Sequence, residues 1–499
     1  MPGGKSLARI LYDGAAINPA ATAVESHDVN ITFEELIGRV ESTGNALREI
    51  VSKPGDRIAL CAGNNPDHLV AYLAILTSGF VWVPLNPANG RALNSKIAEK
   101  AKPDLVLVDR ASLDQGPDAD QLRGLETLQA EPRAFEPTHV TTDDVAAIKF
   151  TGGTSGEPKG VIQTHGNMLA VVENMQSFYQ FDRSDCNLAV APLTHGSSHY
   201  IFPVLAAGGR HRFLHDHSAA AIVAALRDNT TITFMPPTLI YKLLQAPDLS
   251  PEQFPRLRHL TYSAAPMPVD RIIEAQAAFG PCISSLYGQT EAPMSICALG
   301  VQEMQDPVLR GKAGKACSNS CVRIVDAAGV EVAAGTVGNI EVKGPIVMQA
   351  YLDEPDLTDA TLCDGWLRTG DLGSLDGSGY LTLSGRASEV IITGGFNVYP
   401  AEIENVLAKA PGVQECCVYG VDDSYWGERI EAVIVAVAGS NQSERDILEF
   451  VKNELGAVRT PKALYVVDAL PRNAVGKVVR RDMPGLVESM REQDDAQTV

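Results

Sequence analysis

Apolar and polar positions in the first third of the chain alternate between two periods. Thr32-Phe33-Glu34-Glu35 has the form of a capping box, with Thr32 as N-cap and Glu35 placed to reach back. Helical spacing of apolar residues runs from there to about Ile50, and residues 57–62 read as a short apolar strand. Pro66 falls in the first turn of a helix that runs to Thr77, and Gly79 ends it. Residues 81–84 and 105–108 are further short strands. Strands separated by helical stretches predict βαβ units and a mainly parallel sheet. Residues 111–143 are polar and rich in Gly, Pro, Asp and Glu, which predicts a loop-rich connection. Beyond them, 145–150 reads as a strand, 166–180 as a helix, 187–192 as a strand and 222–226 as a helix. Residues 231–237 and 260–266 each read as a strand running into a turn. Residues 311–385 are strand-rich and Gly-rich, which predicts a small antiparallel or barrel-like subdomain.

Near Gly385 the pattern changes again. Strands are expected at 389–392, 416–421, 431–437 and 464–467, with a turn at Gly394-Gly395 and a helix over 401–410 opened by Pro400. A further helix starts at Ser443, with Asp446 completing a second capping box. The expected fold is therefore α/β. A large N-terminal domain, residues 1–385, holds mainly parallel sheets sandwiched by helices plus the barrel-like subdomain. A small α+β C-terminal domain, 386–499, follows.

Length agrees with this division, because 499 residues exceed the roughly 250–300 that one core supports. Hydrophobic content of 45% with 20% charged residues is that of a soluble globular protein. The net charge of −20 argues against a basic face for nucleic acid. A polyphosphate ligand would need cations or Mg²⁺ concentrated locally. Nine cysteines, an odd number with Cys416 and Cys417 adjacent, suit the reduced thiols of a cytoplasmic protein. Cys317 and Cys321 have no second Cys/His pair nearby to complete four zinc ligands. The first eight residues lack the apolar core of a signal peptide, and no apolar run reaches the roughly 18 residues of a membrane span. The last three residues are not a peroxisomal address.

The densest chemistry lies in Phe150-Thr151-Gly152-Gly153-Thr154-Ser155-Gly156-Glu157-Pro158-Lys159-Gly160. Glycines let backbone N–H groups approach a phosphate, the hydroxyls of Thr151, Thr154 and Ser155 can donate to it, and Lys159 adds a point charge. A Walker A loop is excluded, since it needs Lys directly after Gly and Ser or Thr directly after Lys. Further polar clusters follow strand ends, where open α/β sheets bind ligands. Tyr287 offers a ring to stack on a base, Thr290 a hydroxyl, and Glu291 a hard carboxylate for Mg²⁺. Asp371 is placed to accept from ribose hydroxyls, Arg386 brings a cation to the domain junction, and Lys477 sits in a glycine turn. Each alone has an ordinary reading as core aromatic, helix start, turn residue or solvated lysine.

Taken together and in this order, these clusters resemble the adenylate-forming superfamily of acyl-CoA synthetases, peptide-synthetase adenylation domains and luciferases, over nearly the whole chain. Phe150–Gly160 is similar to the family's phosphate loop, and Ser263-Ala264-Ala265-Pro266 to its adenine-contacting turn. Tyr287-Gly288-Gln289-Thr290-Glu291 resembles its aromatic-Gly-x-Thr-Glu motif, and Thr369-Gly370-Asp371 its ribose motif. Arg386 resembles the arginine that opens the hinge, and residues 471–477 the catalytic lysine loop.

The resemblance implies two steps. A carboxylate attacks the α-phosphate of ATP, giving acyl-adenylate and pyrophosphate, and a thiol then displaces AMP. Lys477 would bridge the carboxylate and the α-phosphate, Thr290 would hold that phosphate, Glu291 would hold Mg²⁺, and the loop would cradle the β/γ pair. The C-terminal domain would rotate between steps, presenting first Lys477 and then the Gly394-Gly395-Phe396 turn to line a pantetheine tunnel. Two departures stand out: Gly152-Gly153 replaces the commoner Ser-Gly, and Arg386-Ala387-Ser388-Glu389 replaces Arg-x-Lys-Asp, with Glu389 at the pivot.

Amino-acid-activating members carry an aspartate after the phosphate loop to hold the substrate amine. Residues 191–199 contain no acid, and Pro192-Leu193-Thr194-His195 resembles acyl- and aryl-CoA ligases. Trp426-Gly427-Glu428 resembles the CoA ligases too, where the indole stacks on the CoA adenine, though core packing is an equal reading. The expected activity is that of an ATP-dependent acid–CoA ligase, an acid–thiol ligase using ATP, Mg²⁺ and coenzyme A. The rival is an adenylating enzyme that loads a carrier protein's phosphopantetheine thiol. A third possibility, from another class, is a nucleotide-binding scaffold without turnover. His195 is expected to gate the acid pocket or contact the carboxylate. Pocket walls are expected from His195, His199, Met235, Pro236, Ser263, Tyr287 and Met294. That mix suits an aryl or a medium- or long-chain acyl acid better than a dicarboxylate, which would want an arginine. No nucleic acid or membrane partner is expected, and a homodimer is one assembly open to it.

Overall fold

A computed structural model describes residues 5–128, 134–152, 157–437, 439–473 and 477–497. The chain divides into two compact units. The first comprises Met1–Ala265, Ile273–Val322 and Glu341–Thr369; the second comprises Pro266–Ile272, Arg323–Ile340 and Gly370–Val499.

Two sheets form the first unit. One has seven strands in the order Ala350–Tyr351, Pro158–Thr164, Val145–Gly152, Val81–Leu85, Arg57–Cys61, Leu105–Val108 and Leu122–Gly124. Val145–Gly152 and the four strands beyond it run parallel, and the two at the other edge are antiparallel. The other sheet carries a parallel run through Thr22–Glu25, Arg210–Arg212, Cys186–Leu188, Ile232–Met235, His259–Tyr262 and Ile283–Tyr287. Antiparallel strands Cys297–Leu299 and Gly314–Ala316 follow. The mainly parallel sheet expected from the alternating periods is thus present.

The helix Pro66–Thr77 is buried at every position from His68 to Thr77, so its sequence is apolar all round rather than striped. Its Tyr72 ring meets Trp82 edge-on at 4.7 Å inside the largest apolar cluster. The capping box at Thr32 forms as expected, opening the helix Phe33–Ile50, and a further box at Thr164 and Asn167 opens the helix His165–Tyr179.

In the second unit, five strands share one sheet. Its order is Phe396–Val398, Ile391–Thr393, Gly427–Ala436 and Val413–Asp423, with Ala463–Val467 also paired to Gly427–Ala436. Helices Pro400–Leu407 and Glu444–Leu455 bury Ile403, Leu407, Ile447 and Val451 against Ile430 and Ile434. The opposite face packs Cys417, Tyr419 and Val433 with Met483 and Val487. Ser443 caps its helix, accepting from the Asp446 amide at 3.2 Å, but no reciprocal box forms: the Asp446 carboxylate accepts from the Ser443 hydroxyl at 2.7 Å, and its side chain is one methylene shorter than the Glu35 that closes the box at Thr32. The strand-rich region before Gly385 is antiparallel, as in the pair Trp366–Leu375 and Tyr380–Arg386, yet its described strands follow an open path and close no barrel. Among the described residues, no helix is long and apolar enough to cross a membrane.

Two glycines give opposite expectations. Gly38, inside the helix Phe33–Ile50, has nothing within 4 Å of a would-be Cβ, so Gly38→Ala should stabilise by about 0.5–1 kcal/mol. Gly314 has φ +96°, and a Cβ there would stand 1.9 Å from the Ala298 carbonyl oxygen. Gly314→Ala should therefore destabilise by more than about 2 kcal/mol. Thermal unfolding should move the two variants in opposite directions; shifts of the same sign would contradict the packing described.

Candidate active site

In the first unit the phosphate-loop run is flanked by two paired strands. Val145–Gly152 pairs antiparallel with Pro158–Thr164, setting Thr151 opposite Lys159 and Gly152 opposite Pro158. Lys159 thus lies on a strand flanking the loop rather than in it. Gly153, Thr154, Ser155 and Gly156 lie outside the described residues. Gly160 has a packing reason, since a Cβ would come within 3.0 Å of Phe150 and Leu352. Glu157 sits 3.6 Å from Lys96 and 3.9 Å from Lys100, so the helix Gly90–Ala101 brings cations to the end of this strand pair.

The Tyr287–Glu291 segment leaves the end of the strand Ile283–Tyr287. Gly288 is required by close approach: a Cβ there would lie 2.5–2.7 Å from the Met294 backbone. No helix starts at Thr290 or Glu291; the segment turns irregularly and leaves both half-buried. It is fastened to the hairpin. Gln163 Nε2 donates to the Thr290 carbonyl at 2.8 Å, and the Met348 amide donates to the Glu291 carbonyl at 2.7 Å. Tyr351, whose strand pairs with Pro158–Thr164, donates its hydroxyl to Glu291 Oε1 at 2.7 Å. Gln163 and Tyr351 went unnoticed in the sequence, because neither sits in a recognisable motif. The adenine-turn residues follow the strand His259–Tyr262: Ser263 is buried, Ala264 is exposed with φ +71°, a costly conformation for a residue with a Cβ, and Pro266 is exposed.

The residues expected around the acid gather in the same unit. Thr194 Oγ1 lies 2.9 Å from His195 Nδ1. A Cβ on Gly196 would meet Phe234 at 2.9 Å and Met294 Sδ at 3.0 Å, so the segment carrying His195 packs directly on both. Met235 is paired with Tyr262, bringing Pro236 and Ser263 to neighbouring strand ends. Phe234, which the sequence reading did not pick out, packs beside the segment carrying His195.

A second omission is larger. Lys149, 5% exposed, donates from Nζ to Ser198 Oγ at 3.1 Å, lies 3.0 Å from His199 Nε2, and stands 5.1 Å over the Trp82 ring. Burial pushes its pKa down to about 7. Burial, and then the Lys149 charge, push His195 down to about 4 and His199 well below the usual histidine value, so both rings are neutral at neutral pH. His199 Nε2 is then the acceptor.

The second unit carries the other expected residues. Asp371 and Arg386 face each other across the hairpin, and Arg386 Nε lies 2.7 Å from Asp371 Oδ1. Glu389, the expected pivot, is paired through Oε2 with Arg480 at 2.7 Å; the other arm of Arg480 reaches Glu404, also at 2.7 Å. Lys477 is set by reciprocal bonds with Asn473, backbone N to Oδ1 and Asn473 N to the Lys477 carbonyl, both 2.9 Å. Ala474, Val475 and Gly476 lie outside the described residues. Lys477 is exposed as a residue, yet its ammonium end is crowded. Loss of water there lowers its pKa below the usual lysine range; Arg386 adds to the shift, while Glu389 and Asp371 oppose it. The Gly394 amide donates to the Trp426 carbonyl at 2.8 Å, and Gly394 and Gly395 both have positive φ. The Trp426 ring is 37% exposed, with Lys462 Nζ 5.1 Å over it, so it is not a core residue.

Two surface clefts of about 380 and 320 Å³ lie elsewhere, around Glu25. In them Glu25 pairs with Arg210 and Arg212.

The family model for AMP-binding enzymes matches residues 11–352, and that for the AMP-binding enzyme C-terminal domain matches residues 402–477. A feruloyl-CoA synthase of Amycolatopsis is 32% identical over 94% of this chain and 96% of its own. A medium/long-chain fatty-acid–CoA ligase of Mycobacterium tuberculosis is 30% identical over 90% and 84%. The structure of o-succinylbenzoate CoA synthetase from Bacillus subtilis, in complex with its acyl-adenylate intermediate, superposes with a TM-score of 0.85 at 27% identity, covering 95% of this chain and 97% of that one.

Lys149 makes a testable demand on stability. Its folded pKa of about 7 lies below the ordinary lysine value of 10.5, so between those pH values the unfolded chain binds the extra proton. Stability therefore rises with pH across that window and is lowest below it. Replacing the ammonium by an apolar isostere removes this cost. Lys149→Met should raise the melting temperature at pH 7, corresponding to about 1–4 kcal/mol, with the gain shrinking towards pH 10. A loss of stability that does not change with pH would show that Lys149 is charge-compensated.

Proposed function

The chain belongs to the family of AMP-binding enzymes, and from that premise we propose that it is an ATP-dependent acid–CoA ligase. The observation that carries this is the fastening of the Thr290–Glu291 turn to the phosphate hairpin by Gln163, Met348 and Tyr351. One rigid piece then presents the groups that bind the leaving pyrophosphate and those that address the α-phosphate. Positions 191–199, where an amine-binding acid would stand, hold two histidines and no carboxylate, and Lys149 lies beside them. That surrounding suits a carboxylic acid and repels an ammonium.

In this reading the acid's carboxylate oxygen forms a bond to the α-phosphorus, and the bond from that phosphorus to the β-phosphate bridging oxygen breaks, releasing pyrophosphate. CoA, as its thiolate, then attacks the acyl carbon of this mixed anhydride; the bond from the acyl carbon to the phosphate oxygen breaks, and AMP departs with the electron pair. The alternative acceptor is a carrier protein's phosphopantetheine thiol. Lys477 supplies the positive charge that the first step requires, and the loss of water around it strengthens the attraction between that charge and the two anions. Thr290 holds the α-phosphate. His195, neutral and with Nδ1 fixed by Thr194, offers Nε2 to the acid. Asp371, held by Arg386, is the carboxylate that meets the ribose hydroxyls.

Glu291 fits Mg²⁺: it is a half-buried carboxylate held by Tyr351, and no group of three or more potential ligands occurs among the described residues. A single carboxylate plus substrate phosphates is how this ion is commonly bound, and it would neutralise phosphate charge. Residues 1–385 act as the ATP- and acid-binding domain and 386–499 as the domain that delivers Lys477, then Gly394, Gly395 and Trp426 for CoA, with Glu389 as pivot. A cytoplasmic location accompanies this reading, and a homodimer is the assembly to test.

Incubation of the whole protein with ATP, Mg²⁺, CoA and a panel of aryl and aliphatic acids should give pyrophosphate, AMP and an acyl-CoA detectable by mass spectrometry. Accumulation of acyl-adenylate with CoA never acylated, and transfer only to a phosphopantetheinylated protein, would overturn the CoA assignment.

A further inference from the structure

Lys149 lies on the strand that leads into the phosphate loop, one side-chain repeat before Thr151 and on the same face, about 7 Å deeper into the unit. Trp82, on the neighbouring parallel strand opposite Ala147, forms the floor beneath its ammonium. Ser198 accepts from Lys149 and donates to the His195 carbonyl at 2.8 Å, so a single hydroxyl separates the lysine from the segment expected to meet the acid.

Among the described residues no carboxylate contacts Nζ; its neighbours are a hydroxyl, a neutral imidazole and an indole face. Nearby, the Tyr72 hydroxyl and Trp82 Nε1 are buried without a hydrogen-bond partner. A buried cation with no counter-ion is costly and gives the fold nothing that a methionine would not. Buried donors without acceptors add to that cost. The cluster is thus rich in donors and lacks an anion.

We propose that Lys149, held in place by Ser198 and His199, forms a specificity subsite for a second anionic oxygen at the end of the acid remote from the reacting carboxylate, such as a second carboxylate. This rests on the acid–CoA ligase reading and narrows its substrate class. The sequence reading looked for an arginine to serve a dicarboxylate and passed over this lysine, which lies inside an apolar strand. The anion would supply the missing charge partner while the substrate is bound. An acid ending in a methyl group would leave the lysine without one.

The test uses the whole protein and matched acids of equal length over a range of lengths, aliphatic and aryl, ending in either a carboxylate or a methyl group. The readout is the ratio of kcat/KM for the two members, measured by acyl-CoA formation. The wild type should favour the carboxylate-ended acid at its best length. Lys149→Met should lower that ratio by about 10- to 100-fold, the loss of one charged hydrogen-bond partner in a buried site. Each ratio is taken within one protein preparation, so a general loss of folding does not alter it. Preference of the wild type for the methyl-ended acid at every length would overturn the proposal, as would a ratio unmoved by Lys149→Met. Failure to form a thioester with any acid would instead remove the ligase reading, and this inference with it.

Discussion

Two anions must be brought into contact by a chain whose own net charge is −20. A carboxylate approaching a phosphate at about 4 Å meets a repulsion of roughly 1 kcal/mol per charge pair in water, and several times that in a site of lower dielectric. An acidic protein meets this only by concentrating its cations. In the second unit Arg386 is anchored on Asp371, and Arg480 on Glu389 and Glu404. The positive field of this cluster depresses the pKa of Lys477, with loss of water as the larger cause. The nearby acids Glu389 and Asp371 oppose the shift. Glu389 is paired with Arg480, three positions beyond Lys477.

The first unit handles the same electrostatic demand by rigidity. Its phosphate hairpin and its Thr-Glu turn come from segments more than a hundred residues apart, and Gln163 and Tyr351 bind them into one surface. Preorganised donors need no rearrangement as charge develops, which is where most electrostatic catalysis originates. Gly288 serves this geometry through absence of a Cβ, since Met294 occupies the space.

Much of the fold was legible in the sequence because it depended on local signals. The capping box at Thr32, the proline-opened helix at Pro66 and the apolar strand before the phosphate loop need only near neighbours. Ser443 marks the limit of that logic: the right pair of residues bonded side chain to side chain instead of closing the box. The strand-rich region before Gly385 likewise gave its strands but not its closure, which depends on long-range pairing. At the site, motif residues could be picked out, whereas Gln163, Tyr351, Phe234 and Lys149 could not. Each is one residue within a regular strand or strand end, and its importance lies in what the fold places opposite it. Lys149 carried one signal, a lysine amid apolar neighbours at 145–150.

The central claim is that one cation of the second unit serves phosphate chemistry and has no part in thiol transfer. Its most direct test separates the half-reactions in a Lys477→Ala protein. Acid-dependent pyrophosphate release should fall by about 10²-fold or more, the scale of losing one transition-state partner, while conversion of a supplied acyl-adenylate and CoA to acyl-CoA continues near the wild-type rate. Undiminished adenylation, or loss of both half-reactions together in a folded protein, would contradict the account.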